Sequence, residues 1–335
     1  MTPLVDLPAL IADIGGTNAR IAWIDRDGRT SEPVVFPIAD YPSFDVALVD
    51  RVLPLTPEPP RSMVLALAAN IEGEEAKLTR GHWTFAPRSL IAAYDLREIV
   101  LLNDFEALAL SLPVLPSDGL LSFGPTDAVE RGPKLVVGPG TGLGIAALMP
   151  VGNAWLPVRS EGGHVDLGPS SGRDFELWPH LSVDGARIDA ESVLSGAGIE
   201  RWYAAIMGRG GKQAPSKGVG EIVAAAASGA DAAAAEAIRV FTEHLGRYTG
   251  DLALLFLARG GVYIGGGVVG RLKRLFDGDM FRASFMDKAP FSSMLSSIPI
   301  SLITHPTPAF LGISALIADP ARFLLDLSSR HWRAD

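Results

Sequence analysis

Asp13 stands two residues before a Gly15-Gly16-Thr17 turn. Apolar, strand-like arms run on either side, Ile11-Ala12-Asp13-Ile14 before it and Ala19 to Ile24 after it. Two glycines let the backbone come within contact distance of a bulky anion, and Thr17 adds a hydroxyl donor. A carboxylate at the strand end can hold a hydrated Mg²⁺. This is the equipment for gripping the polyphosphate tail of a nucleotide. A plain hairpin whose turn needs glycine would explain the segment taken alone.

The device recurs. Lys134 to Val137 is again an apolar strand, followed by Gly138-Pro139-Gly140-Thr141-Gly142 and a second apolar run from Leu143 to Met149. The spacing between the two copies is too long for a solenoid repeat and suits a duplicated domain. A dinucleotide-binding turn would lead straight into a helix, whereas Arg20 to Ile24 continues as a strand.

Further candidates lie at other element junctions. Asp104 follows the strand Leu96 to Leu102 and opens a helix through Leu112. A carboxylate at the carboxyl end of a strand sits where ligands bind in α/β sheets and can serve as a base. It can equally cap the helix. Glu161-Gly162-Gly163-His164 and Glu191 offer carboxylates and an imidazole suited to vicinal sugar hydroxyls. Surface charge and a structural histidine are the plainer readings of these residues. Gly265-Gly266-Gly267, between a buried strand and a helix, can let an adenine or ribose ring lie against the backbone, or can simply make a tight turn.

These residues need a scaffold. Strands are expected at Val34 to Phe36, Met63 to Ala68, Trp155 to Val158 and Val262 to Ile264, with a last strand at Ile298 to Thr304. Phe44 to Leu53 has helical spacing, and Ser117 to Arg131 reads as a polar connection between domains. The second half is more helical. Ala-rich Glu221 to Arg239 is interrupted near Ser228-Gly229, a longer buried helix covers Phe241 to Leu257, and another spans about Val269 to Phe276. Phe310 to Leu325 reads as a terminal helix. The sum is an α/β protein in two lobes with a ligand cleft between them.

Composition bounds the partners. The chain has 335 residues, 48% of them hydrophobic and 20% charged, which suits a folded protein of about two domains. A net charge of −9 argues against a nucleic-acid-binding surface, though a few amides and one Mg²⁺ can still serve a nucleotide. There is no cysteine, so disulfides and zinc-thiolate sites are excluded. His164 with Glu161 lacks an evident third ligand for a metal. No apolar run reaches membrane-spanning length, and the first ten residues carry no Lys or Arg. A soluble cytoplasmic protein without membrane or nucleic-acid partners is expected.

Together the segments resemble the bacterial glucokinases of the hexokinase/actin-like sugar kinase superfamily. The resemblance rests on Asp13-Ile-Gly-Gly-Thr-Asn-Ala-Arg20, Asn103-Asp104-Phe105, Gly140-Thr141-Gly142-Leu143-Gly144 and Glu161-Gly-Gly-His-Val-Asp166. Glu191 to Gly196, Gly250 to Leu254 and Gly260 to Gly267 extend it. These motifs are collinear from about residue 10 to Gly312. The resemblance implies a two-lobed fold of duplicated ribonuclease-H-like cores, with a small domain 1–112 completed by a C-terminal helix 308–335 and a large domain 113–307. It implies ATP, Mg²⁺ held at Asp13, glucose phosphorylated at its 6-hydroxyl, and a homodimer. Asp104 becomes the base, and Asn103, Asp104, Glu161, His164 and Glu191 the sugar ligands. Ala12, Asp13, Ile14, Gly15, Gly16 and Thr17, with Gly140, Thr141 and Gly142, take the phosphates, and Gly265, Gly266 and Gly267 lie near the adenosine.

Two departures fall near the sugar side. Leu78-Thr79-Arg80-Gly81-His82-Trp83 has Arg80 where the family often has Asn, and Ala69-Asn70-Ile71 lacks the usual Pro. Both bear on hexose selectivity, so a kinase for mannose or glucosamine is one alternative. A non-catalytic sugar sensor on the same scaffold is another, while nothing ahead of the first strand suits a DNA-binding repressor.

Overall fold

Unbroken apolar runs build the centre of the first sheet, as strands covered on both faces require. In the computed structural model, which describes residues 3–71, 73–182 and 187–334, the chain divides into two units. The first comprises Met1–Ser117, Leu148–Arg159 and His305–Asp335; the second comprises Asp118–Ala147 and Ser160–Thr304.

In the first unit a six-stranded sheet runs in the order His331–Arg333, Glu98–Asn103, Ser62–Leu67, Ala9–Ile14, Asn18–Ile24, Val34–Pro37. Ala9–Ile14, Ser62–Leu67 and Glu98–Asn103 are parallel neighbours, and Asn18–Ile24 returns antiparallel from the first of them. Helix Asp104–Ser111 follows directly from Glu98–Asn103 and packs against helix Pro308–Ala318. A second, three-stranded sheet of Ala69–Asn70, Ala76–Leu78 and Thr84–Phe85 rests on an aromatic cluster. There Trp83 meets Phe44 and Phe85 edge-on, and its indole donates to the Tyr41 carbonyl at 3.0 Å.

The other six-stranded sheet runs in the order Ala154–Ser160, Leu143–Val151, Lys134–Pro139, Val262–Ile264, Ile300–Ile303, Leu120–Phe123, and its last four strands belong to the second unit. Val262–Ile264 runs parallel to both neighbours. Helix Ala232–Phe256 packs on helices Gly196–Arg209, Val219–Ala227 and Gly278–Met286. In each six-stranded sheet a Gly-Thr turn joins two adjacent strands, so the recurrence read in the sequence is a recurrence of structure.

Several boundaries differ from the sequence reading. The polar stretch Ser117 to Arg131 contains strand Leu120–Phe123, paired antiparallel with Ile300–Ile303. Four residues are too few to show an apolar period. The helical break falls at Ser228 to Ala230, after which Ala232–Phe256 is one helix with no second start at Phe241. Asp231 caps it, accepting from the amides of Ala233 and Ala234 at 3.0 and 3.2 Å. The last helix stops at Ala318, ahead of Asp319-Pro320, where a proline disfavours helical backbone in the residue before it. The chain does not end as a helix 308–335. It closes in strand His331–Arg333 on the sheet edge beside Glu98–Asn103, which therefore replaces Ile300–Ile303 as the last strand. Among the described residues no helix is long and apolar enough to cross a membrane.

Candidate active site

The registers of the first unit bring three strand ends to one level. Ile14 pairs with Leu67, and Leu67 with Asn103. At a strand spacing of about 4.8 Å, Ile14 and Asn103 stand roughly 10 Å apart along the carboxyl edge. This edge is where open α/β sheets place their ligands.

The turn after Ile14 is tight. Gly15 donates to the Asn18 carbonyl at 3.1 Å, and Ile38 donates to the Thr17 carbonyl at 3.0 Å. A Cβ on Gly16 would lie 2.9 Å from the Arg80 carbonyl oxygen and 3.2 Å from the Arg80 Cβ, so glycine is required there. Ala12 and Ile14 are fully buried. Their side chains serve the core, and the Ile14 carbonyl is taken by the Ala68 amide at 2.9 Å. Asp13 faces Arg20 across the hairpin, with Arg20 Nη1 3.4 Å from Asp13 Oδ2. Burial pushes the Asp13 carboxyl above its ordinary range, and Arg20 works against that shift.

Two strands away, Asn103 caps helix Asp104–Ser111. Its Oδ1 accepts from the amides of Phe105 and Glu106 at 3.0 and 3.2 Å, and the Asn103 amide donates back to Glu106 at 3.4 Å. Arg330, itself buried, clamps Glu106 through its two terminal guanidinium nitrogens. The cap is thus Asn103, and Asp104 occupies the first helical position. Its Oδ1 accepts from the Phe105 amide at 3.0 Å. A carboxylate here lies in the positive field of the helix start. Capping by Asn103 uses only the carbonyl oxygen, which leaves two amide N–H donors for a ligand.

The second unit gathers the other candidates. Gly140 donates to the Gly142 carbonyl at 2.8 Å, and Gly196 to the Gly140 carbonyl at 2.9 Å. Leu143, just past Thr141 and Gly142, donates its amide to Glu191 Oε2 at 2.9 Å. Glu191 is therefore tied to the Gly-Thr turn and is not a loose surface charge. Glu161 precedes the short turn Gly162–His164, which packs so closely on the same residue that a Gly163 Cβ would sit 2.4 Å from the Leu143 carbonyl oxygen. His164 Nδ1 lies 3.1 Å from Asp189 Oδ2. Gly265 donates to the Val137 carbonyl at 2.9 Å. Gly266, at φ +85°, leaves only 2.3 Å between a notional Cβ and the Pro139 carbonyl oxygen. Gly265, Gly266 and Gly267 thus abut the strand end that feeds Gly140. Leu143 ties Gly163 and Glu191 to the turn Gly140 to Gly142, and strand Lys134–Pro139, which leads into that turn, holds Gly265 and Gly266.

The glucokinase family model matches residues 10–320 of this chain. The chain belongs to the glucokinase family. A curated glucokinase from Chelativorans sp. (strain BNC1) is 40% identical over 333 residues, covering 98% of this chain and 97% of the relative. The crystal structure of a glucokinase from an Antarctic psychrotroph superposes with a TM-score of 0.80 at 30% identity, covering 93% of this chain and 99% of that one. A ROK-family glucokinase from Streptomyces griseus, solved with glucose and AMPPNP, shares the fold at a TM-score of 0.63 and 17% identity, covering 93% of this chain and 99% of that one. The fold is that of the actin-like ATPases.

Spacing alone did not single out several residues that hold the glucokinase motifs in place. Asp189 orients His164 and caps the short helix Ala190–Val193 through the Ser192 amide at 2.8 Å. Burial alone would raise the Asp189 carboxyl, but the Ser192 and His164 bonds outweigh it and hold it below the usual range. Tyr248 donates its hydroxyl to the Gly162 carbonyl. Asp189 was detectable as a cap position ahead of Glu191. Tyr248, on the long helix, carried no local signal.

The residues also bear on a metal. Among the described residues no group of three His, Cys, Asp or Glu side chains could hold an ion. Asp13 offers a single carboxylate, with Arg20 at 3.4 Å as its salt-bridge partner. One carboxylate with water and phosphate oxygens for the remaining positions fits Mg²⁺.

Proposed function

We propose that Asp104 is the general base of a glucose 6-kinase and that the two groups of residues described above serve one reaction. The activity is that of a glucokinase: ATP-dependent phosphorylation of glucose to glucose 6-phosphate. The observation that carries the residue assignment is the shared edge in the first unit, where Asp104 stands at a helix start level with the glycine turn of Asp13 to Thr17.

In this reading Asn103, Glu161, His164 and Glu191 hold the sugar hydroxyls, and Asp104 takes the proton of the 6-hydroxyl. The O6–Pγ bond forms as the bond from Pγ to the bridging oxygen breaks, and ADP leaves with that electron pair. Backbone amides around Gly15 to Thr17 and Gly140 to Gly142 take up phosphate charge, while Gly265 to Gly267 accommodate the adenosine. Such a transfer is catalysed mainly by positioning and charge stabilisation. Asp13 would hold Mg²⁺, which supplies neutralising charge to the phosphates when bound. The Asp189 bond to His164 fixes the imidazole against the sugar. Two domains, 1–112 with the C-terminal segment and 113–307, a cytoplasmic location and a homodimer complete the proposal.

A coupled assay of ADP release by the purified protein, with ATP, Mg²⁺ and a panel of glucose, mannose and glucosamine, tests it. Glucose is expected to give the highest kcat/KM. Preference for another hexose would move the substrate assignment. No turnover with any sugar would make the chain a sensor. A site built to hydrogen-bond a given hydroxyl rejects an analogue lacking it strongly, so the panel discriminates.

A further inference from the structure

The loop between strands Ala76–Leu78 and Thr84–Phe85 is fastened to the carboxyl edge of the first sheet. Ile14 accepts from the Ala68 amide at 2.9 Å, and the Ala68 carbonyl accepts from the Thr79 amide at 3.0 Å. Ala68 directly follows strand Ser62–Leu67, which lies between Ala9–Ile14 and Glu98–Asn103 in the sheet. Thr79 and Arg80 are therefore rooted over the middle strand, with the turn Gly15 to Thr17 on one side and Asn103-Asp104 on the other. The Arg80 backbone and Cβ touch Gly16 so closely that no larger residue fits there. Gly81 seats the same loop on Leu78 and Ile38, and Ile38 in turn donates to the Thr17 carbonyl. Arg80 itself is exposed.

We infer that Arg80 is a catalytic residue that binds the transferring phosphoryl group. The inference rests on the kinase reading above. In that reaction the phosphoryl group travels from the phosphate turn toward the oxygen that Asp104 deprotonates, and Arg80 is anchored between those two points. A guanidinium is planar, keeps its charge at every working pH and pairs with two phosphate oxygens at once. It would neutralise charge on the equatorial oxygens as the O6–Pγ bond forms and the bridging bond breaks. The sequence reading placed this residue on the sugar side. Its contact with Gly16 puts it on the phosphate side.

The test measures ADP release by the full-length protein and its Arg80→Gln, Arg80→Lys and Arg80→Ala variants, at saturating and varied glucose. Arg80→Gln is expected to lower kcat by about tenfold to a thousandfold, with the KM for glucose within about twofold of wild type. Arg80→Lys should fall between the two, since a point charge replaces a bidentate one. Millimolar guanidinium should restore part of the Arg80→Ala rate, which a merely structural residue would not allow. Wild-type kcat in Arg80→Gln, or a loss confined to the KM for glucose or to hexose preference, overturns the assignment. If the wild type itself releases no ADP with any sugar, the kinase reading fails and this one with it. An active wild type beside an unimpaired Arg80→Gln sinks only the role of Arg80.

Discussion

Gly163→Ala is the most searching single perturbation of the proposed sugar subsite. The added Cβ would lie 2.4 Å from the Leu143 carbonyl oxygen, 3.3 Å from the Leu143 Cβ and 3.4 Å from the Leu143 carbonyl carbon. Ordinary contact begins at 3.4 Å, so the Gly162–His164 turn and strand Leu143–Val151 must part by about 1 Å. Both sides of that gap carry proposed sugar ligands. Glu161 and His164 flank Gly163, and the Leu143 amide holds Glu191 Oε2 at 2.9 Å. Overpacking of this kind costs about 1–3 kcal/mol of stability. A displacement of about 1 Å at reacting groups costs on the order of a hundredfold in rate. We expect kcat/KM for glucose to fall about a hundredfold, through KM where the proposed ligands would lose sugar hydroxyls and through kcat where the sugar would be misplaced. Steady-state ADP release and urea unfolding measure the two effects. Gly220→Ala provides the control, since nothing lies within 4 Å of its notional Cβ. A Gly163→Ala enzyme with kcat/KM within threefold of wild type would refute the claim that this contact positions the sugar ligands.

The remaining predictions concern the base, the metal and the acid limb of stability. Asp104→Asn should lower kcat by about a hundredfold to ten-thousandfold with glucose affinity retained, measured by ADP release and glucose titration; near-normal turnover would remove it as base. Chelating divalent cations should abolish turnover without unfolding the chain, and added Mg²⁺ should restore it. Asp13→Asn should raise the Mg²⁺ concentration giving half-maximal rate, and an unchanged requirement would exclude Asp13 as ligand. Bonds from Lys217 and Tyr203 lower the Asp231 carboxyl to about 2. Its folded pKa lies below its unfolded value, so the stabilisation is full above pH ~4 and is lost as pH falls toward 2. Asp231→Asn keeps a capping side chain but loses that ion pair. Its unfolding free energy should fall below wild type by about 1 kcal/mol at pH 6, with the gap closing near pH 2, as read by urea melts.

The local geometry was legible because it is written in adjacent residues. Two glycines before a threonine between apolar runs specify a tight turn, and Asn103-Asp104 after Ile99 to Leu102 specifies a strand passing into a helix. Glu161 to His164 and Gly265 to Gly267 fall in this class. Short or edge elements did not show themselves. Leu120–Phe123 and His331–Arg333 are strands only because a partner strand lies alongside, and backbone pairing of this kind has no side-chain period over three or four residues.

Sequence by itself determined the family, the turns and the acidic residue placed after a buried strand, since each depends on neighbours along the chain. Tertiary structure alone decided which of two adjacent residues, Asn103 and Asp104, caps the helix. It also decided that Asp189 orients His164, that Glu191 is tethered to a glycine turn, and that Arg80 rests on Gly16. These contacts join segments distant in sequence, and their geometry follows from sheet register and close packing, which spacing along the chain does not encode.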